Sequence, residues 1–151
     1  MPTQYKQMQE ENKTNNVNIK RLKIEGENFY CISNYNEMRP FFMSIVSDSH
    51  HWMFISSNGA LSAGRKNSEY SLFPYYTADK INESAETTGS KSIFQILHNG
   101  EILVWEPFSE RNVSLYATTR NLYKNTIGNK IIFEEINHDF NLTFRYEWNS
   151  S

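Results

Sequence analysis

The segment IFQILHNGEILVWEP, residues 93–107, constrains the fold more than any other. Asn99-Gly100 separates two strand-like runs there, and a type I′ turn needs positive φ at both central residues, which Asn and Gly supply at least steric cost. An antiparallel hairpin is therefore predicted. Similar short β-branched and aromatic runs recur along the chain with turn residues between them, at 21–24, 29–33, 42–46, 52–56, 113–119, 131–136 and 142–148. That spacing signals an all-β, antiparallel β-sandwich with little helix. A second hairpin is expected around Asn137-His138-Asp139. Its later strand alternates Leu142, Phe144, Tyr146 and Trp148 with Asn141, Thr143, Arg145 and Glu147, giving one apolar and one wet face. Phe42, Ile45, Trp52, Phe54, Ile93, Ile96, Val104, Leu115, Ile132, Phe133, Leu142 and Phe144 are the expected contributors to the core or its edge.

Two segments depart from this pattern. Residues 1–18 are polar and lack apolar periodicity, so they read as a flexible N-terminal segment before a single domain over 19–151. Residues 58–92 hold Gly59, Gly64, Pro74 and Gly89 with little sustained alternation, and read as a long excursion from the sheet. Function concentrates on such loops.

A chain of 151 residues buries roughly 70% of its unfolded surface, enough for a core without a disulfide or metal staple. Fifteen Lys and Arg against 17 Asp and Glu give a net charge of -2 without a basic run, which argues against nucleic acid and against an anionic membrane as partners. No apolar run spans a bilayer, and the polar opening MPTQYKQMQEENKTNN has no signal-like apolar region, so a cytoplasmic location is expected.

Catalytic motifs are missing from the pattern. Cys31, the one cysteine, lies in the apolar run FYCIS and reads as a buried structural thiol. His50 and His51 are adjacent, so on a strand they point to opposite faces and do not share an ion. His98 and His138 sit beside turns and are expected to face solvent. No metal, phosphate-loop or nucleophile-elbow spacing occurs, so no cofactor is expected. Glycoside hydrolysis needs two carboxylates across a cleft. Asp79, Glu83 and Glu86 fall in the excursion, whereas Glu134 and Glu135 are strand neighbours facing opposite sides, and all are read as exposed charges.

Residues 54–81, FISSNGALSAGRKNSEYSLFPYYTADKI, mix flat rings with hydrogen-bonding groups as saccharide-binding surfaces do. If a glycan is bound, Arg65, Tyr75, Tyr76 and Asp79 are the expected ligands, the rings stacking on sugar faces and the charged groups meeting hydroxyls. The alternative is a loop pinned by its aromatics to the sandwich.

The same segment, continued through residue 90, resembles the N-terminal region of large bacterial proteins described as cellobiose-phosphorylase-like or glycosidase-like. Residues 36–42 through 56–59 and the closing 141–148 are similar too, so the resemblance covers about residues 28 to 148. In that family a galactose-mutarotase-like β-supersandwich precedes an (α/α)6 barrel that carries the catalytic acid. The resemblance implies carbohydrate-active ancestry without catalysis by this stretch alone, and no family catalytic residue carries over. It implies a module that supports or lines a saccharide site, truncated relative to the family, with an oligosaccharide as ligand. The other expectation is an interaction domain that self-associates or docks a partner chain through the exposed edge of its C-terminal hairpin.

Overall fold

The computed structural model describes residues 16–71, 91–111 and 114–150. These form an all-β, sandwich-like structure of three antiparallel sheets, interrupted by two single-turn 3-10 segments at Tyr35–Glu37 and Ser68–Tyr70. The large sheet has the order β1-β2-β8-β9-β10, with β1 Asn18–Ile24, β2 Glu27–Ser33, β8 Thr118–Asn125, β9 Lys130–Asn137 and β10 Leu142–Asn149. A small sheet joins β3 Phe42–Ile45, β4 His51–Ser56 and β5 Leu61–Arg65, and a separate hairpin pairs β6 Phe94–His98 with β7 Glu101–Trp105.

Alternation places the core. Cα pairing sets Leu122 beside Phe133 and Phe133 beside Tyr146, so one face of the large sheet gathers Leu122, Ile131, Phe133, Tyr146 and Trp148. Against it pack Met43, Ile45, Ile55, Leu61 and Ala63 of the small sheet, with Tyr35 at one end. Phe133 stacks on Tyr146 at 5.0 Å and meets Tyr35 edge-on at 5.9 Å, geometries that add about 1 kcal/mol each beyond burial. The opposite face of the large sheet carries a second cluster of Phe29, Cys31, Tyr123 and Ile132, flanked by Leu22 and Ile24. Cys31 is buried there, as its apolar run implies.

The Asn99-Gly100 turn has the expected backbone, φ 50° and 81°, with His98 opposite Glu101. The C-terminal hairpin turns over residues 138–141, and β10 half-buries Phe144, Tyr146 and Trp148 while Thr143, Arg145, Glu147 and Asn149 stay exposed.

Several expectations need correction. Of the expected run at 113–119, residues 114–117 are not strand; β8 begins only at Thr118 and extends through the polar TTRNLYKN. β5, LSAGR, was not anticipated, because its small residues lack β-forming side chains. It forms because β4 pairs along its length, and Gly64 lies against Trp52 and Ser71 so closely that a Cβ would meet them at 2.5 and 2.8 Å. Of the expected core, Ile45, Ile132 and Phe133 are buried and Trp52, Phe54, Ile96 and Phe144 half-buried. Phe42, Ile93, Val104, Leu115 and Leu142 are instead exposed. β6 and β7 lend only one face to the large sheet, through Phe94 and Trp105, which leaves Val104 on the other. The polar segment at 1–18 gives way to β1 at Asn18, and residues 1–15 lie outside the described residues.

Candidate functional site

At one end of the sandwich a cleft of about 310 Å³ is lined by Tyr35, Asn36, Met38, Pro40, Ser57, Asn58, Phe108, Glu110 and Arg120. Three chain segments build its walls. Asn34 takes the left-handed conformation, φ 55°, that starts the 3-10 turn carrying Tyr35 and Asn36. Ser57 holds the next wall: its N–H donates to Phe41 C=O at 2.8 Å, and its Oγ accepts from Phe41 N–H at 3.0 Å. Asn58 follows in the β4–β5 turn, where its Oδ1 accepts from Ala60 N–H at 3.1 Å and Gly59, φ 92°, donates back to Ser56 C=O. Only glycine adopts such a φ without strain.

The third wall rests on a buried ion pair. Arg120 and Glu135 are 4% and 2% exposed, so neither charge is solvated and each needs partners within the protein. Glu135 Oε1 accepts from Arg120 Nε at 2.7 Å and from Phe108 N–H at 3.0 Å, and its Oε2 accepts from Trp105 Nε1–H at 2.7 Å. Arg120 also donates from Nη1 to Glu110 Oε1 at 2.8 Å and from Nη2 to the Ser109 carbonyl at 3.1 Å. Burial alone would lower the pKa of this guanidinium, but the Glu135 hydrogen bond and the neighbouring carboxylates raise it above its ordinary value, so it stays charged. Burial likewise raises the Tyr35 phenol, keeping it a neutral donor.

Phe108 has φ 63°, a left-handed conformation that costs a bulky L-residue about 1–3 kcal/mol. The Glu135 bond to its N–H and its ring contacts with Tyr146 at 5.3 Å and Phe133 at 6.2 Å hold it there, with its side chain on the cleft wall. Backbone strain of this kind clusters at binding and active sites, where the surrounding structure over-determines it.

Arg120 offers five N–H groups, and the three bonds above leave one on each terminal nitrogen. Two carboxylates, Glu110 and Glu135, pair with the Arg120 guanidinium, so its charge is already met within the protein. The cleft thus sets N–H donors beside carboxylate and amide oxygens.

Glu134 and Glu135 do face opposite sides, as alternation requires, but neither is the exposed charge expected of it. Glu134, 3% exposed, accepts from Asn121, Tyr123 and Arg145 on the far face, while Glu135 serves the cleft. Burial would raise the Glu134 carboxyl, yet the hydrogen bonds from those three side chains hold it below its ordinary value. Arg65 ends β5, exposed and opposite His51, and does not line the cleft. Tyr75, Tyr76 and Asp79, with Glu83 and Glu86, lie outside the described residues. His51 Nδ1 lies 2.6 Å from Ser49 Oγ, and His98 and His138 are exposed as anticipated. Among the described residues, no group of three His, Cys, Asp or Glu is placed to hold a metal, and no helix is long and apolar enough to cross a membrane.

No protein-family model matches this sequence, and no curated protein matches it.

Proposed function

We propose that this chain is a non-catalytic β-sandwich module of a carbohydrate-active protein, and that the cleft over the Arg120–Glu135 pair receives one or two sugar rings. The cleft itself carries the reading. It has a polar rim of Asn36, Ser57, Asn58 and Glu110 and apolar walls in Phe108, Met38 and Pro40 for the carbon face of a ring. Its volume of about 310 Å³ is at the small end of the usual range for ligand sites, so a long glycan fits only by its end. A handful of hydrogen bonds contributes about 1 kcal/mol each against an association cost of several kcal/mol, so binding is weak, with a dissociation constant of about 1 mM or higher.

Calorimetric titration with β-linked gluco-oligosaccharides tests the reading. Binding that is lost in Asn36→Ala with Glu110→Gln, and retained in Tyr75→Ala with Tyr76→Ala, supports the cleft. The opposite pattern supports the aromatic loop expected from sequence, and no heat with any sugar refutes saccharide binding altogether.

A second reading, a protein-interaction domain, is favoured by the outer face of the β6–β7 hairpin. Leu97 pairs with Ile102 there at 75% and 70% exposure, next to Val104. Adjoining exposed apolar side chains of this kind mark contact surfaces.

A further inference from the structure

The two edges of the large sheet differ in a way that selects a partner. β1 at one edge reads NIKRLKI, with Lys20, Arg21 and Lys23 and no acidic residue. Cationic edges of this kind repel a second copy of themselves and keep the strand unpaired. β10 at the other edge reads LTFRYEWN, with one cation, Arg145, and one anion, Glu147, two positions apart on the same exposed face.

Among the described residues no strand pairs with the outer side of β10, and hydrogen-bond parity states which of its backbone groups face that side. Ser150 N–H donates to Asn129 C=O at 3.0 Å, continuing the β9–β10 register, so the even-numbered residues of β10 turn their backbone groups toward β9. The bond from His138 N–H to Ala117 C=O agrees, since it assigns the even-numbered residues of β9 to β8. Thr143, Arg145, Glu147 and Asn149 therefore present their N–H and C=O groups outward, and all four side chains are exposed.

We infer that β10 pairs with β10 of a second copy of this chain, antiparallel and about a two-fold axis at Tyr146, joining two five-stranded sheets into one. Only pairings that oppose odd-numbered residues to odd-numbered ones make backbone bonds. An axis at Arg145 would set that cation against itself, and an axis at Glu147 would oppose two anions. The axis at Tyr146 sets Arg145 against Glu147 and Thr143 against Asn149, each twice by symmetry, and spans the whole strand. Arg145 is already positioned for this. Its Nε and Nη2 are held by Glu134 Oε2, and its guanidinium lies 5.4 Å from the centre of the Tyr123 ring, leaving Nη1 for a further carboxylate. Asn149 Nδ2 donates to Glu147 Oε1 at 2.6 Å and leaves Oε2 available. A closed two-fold contact of this type ends at two copies, because the cationic β1 edges are left outermost.

Sedimentation equilibrium of the full chain from about 5 to 200 µM reads the assembly, with dimerisation that weakens as salt rises expected. Glu147→Lys opposes two pairs of like charges without touching a buried group, and is expected to weaken the dimer by about tenfold or more while leaving the circular dichroism spectrum unchanged. The register is read by oxidative cross-linking. A variant with both Thr143→Cys and Asn149→Cys forms a covalent dimer across the predicted pairs, and neither single variant does so at a comparable rate. A monomer at every concentration, a dimer indifferent to Glu147→Lys, cross-linking by either single variant, or open-ended filaments would each overturn the inference.

Discussion

Removing the Glu135 carboxylate is the sharpest test of what holds the cleft wall in place. Glu135→Ala deletes three hydrogen bonds at once, from Trp105 Nε1–H, Phe108 N–H and Arg120 Nε, and leaves the Arg120 charge 4% exposed with Glu110, at the surface, as its remaining carboxylate partner. Breaking one side of a buried ion pair costs about 3–5 kcal/mol, chiefly because the surviving charge is left uncompensated. The left-handed Phe108 also loses the bond that offsets its strain. Against a total stability of about 5–15 kcal/mol this leaves a marginal protein. Urea unfolding followed by tryptophan fluorescence reads the effect, and with a slope of about 2 kcal/mol per molar the midpoint should fall by about 2 M. The matching double variant, Glu135→Leu with Arg120→Leu, removes the uncompensated charge and should recover part of the loss, while Trp105 Nε1–H and Phe108 N–H stay without their acceptor. A Glu135→Ala midpoint within about 0.5 M of the parent would refute the reasoning, as would a double variant less stable than the single one.

Other consequences follow from the same packing. Gly64→Ala places a methyl against the Trp52 ring and the Ser71 backbone, and should cost about 1–3 kcal/mol in the same urea assay even though the position is an ordinary strand site. The Glu134 carboxyl is held below its ordinary value of 4.5, so the stability it contributes is present above that pH and is lost as pH falls through the lower folded value. Melting temperature measured from pH 7 to pH 3 should therefore drop on the acid side, and Glu134→Gln should flatten part of that drop while lowering stability at neutral pH.

The fold was legible in the sequence wherever one chemical pattern decided it. Asn99-Gly100 dictated its turn because the backbone there needs two positive φ values, and the alternation of β10 separated its faces because a strand has period two. Strand existence was illegible where tertiary pairing outweighed composition. β5 is built of small residues and is stabilised by β4 and by the close fit of Gly64 under Trp52, and β8 is polar because its side chains serve buried networks. Core membership failed at Val104 and Leu142 because apolar character alone does not tell which sheet face finds a neighbour.

The cleft was harder still to read. The carboxylates inside the apolar run IIFEEI were a usable signal, since ions flanked by large apolar residues on a central strand must be paired if buried. Arg120, fifteen residues earlier in TTRN, gives no hint that it is the partner, and the left-handed backbone of Phe108 has no signature in a Phe codon of any loop. Asn58 fell within the stretch singled out for saccharide contact and does line the cleft, whereas Arg65 in that stretch does not.

The most direct test of the account is an amide chemical-shift titration of the isotope-labelled chain with cellobiose and cellotriose. If the cleft over Arg120 and Glu135 is a saccharide site, the saturable shifts should gather at Tyr35, Asn36, Ser57, Asn58, Phe108 and Glu110 and at the Trp105 indole N–H, whose partner Glu135 adjoins the cleft. Shifts confined to Arg65 and the residues around it, or no saturable shift at tens of millimolar sugar, would contradict it.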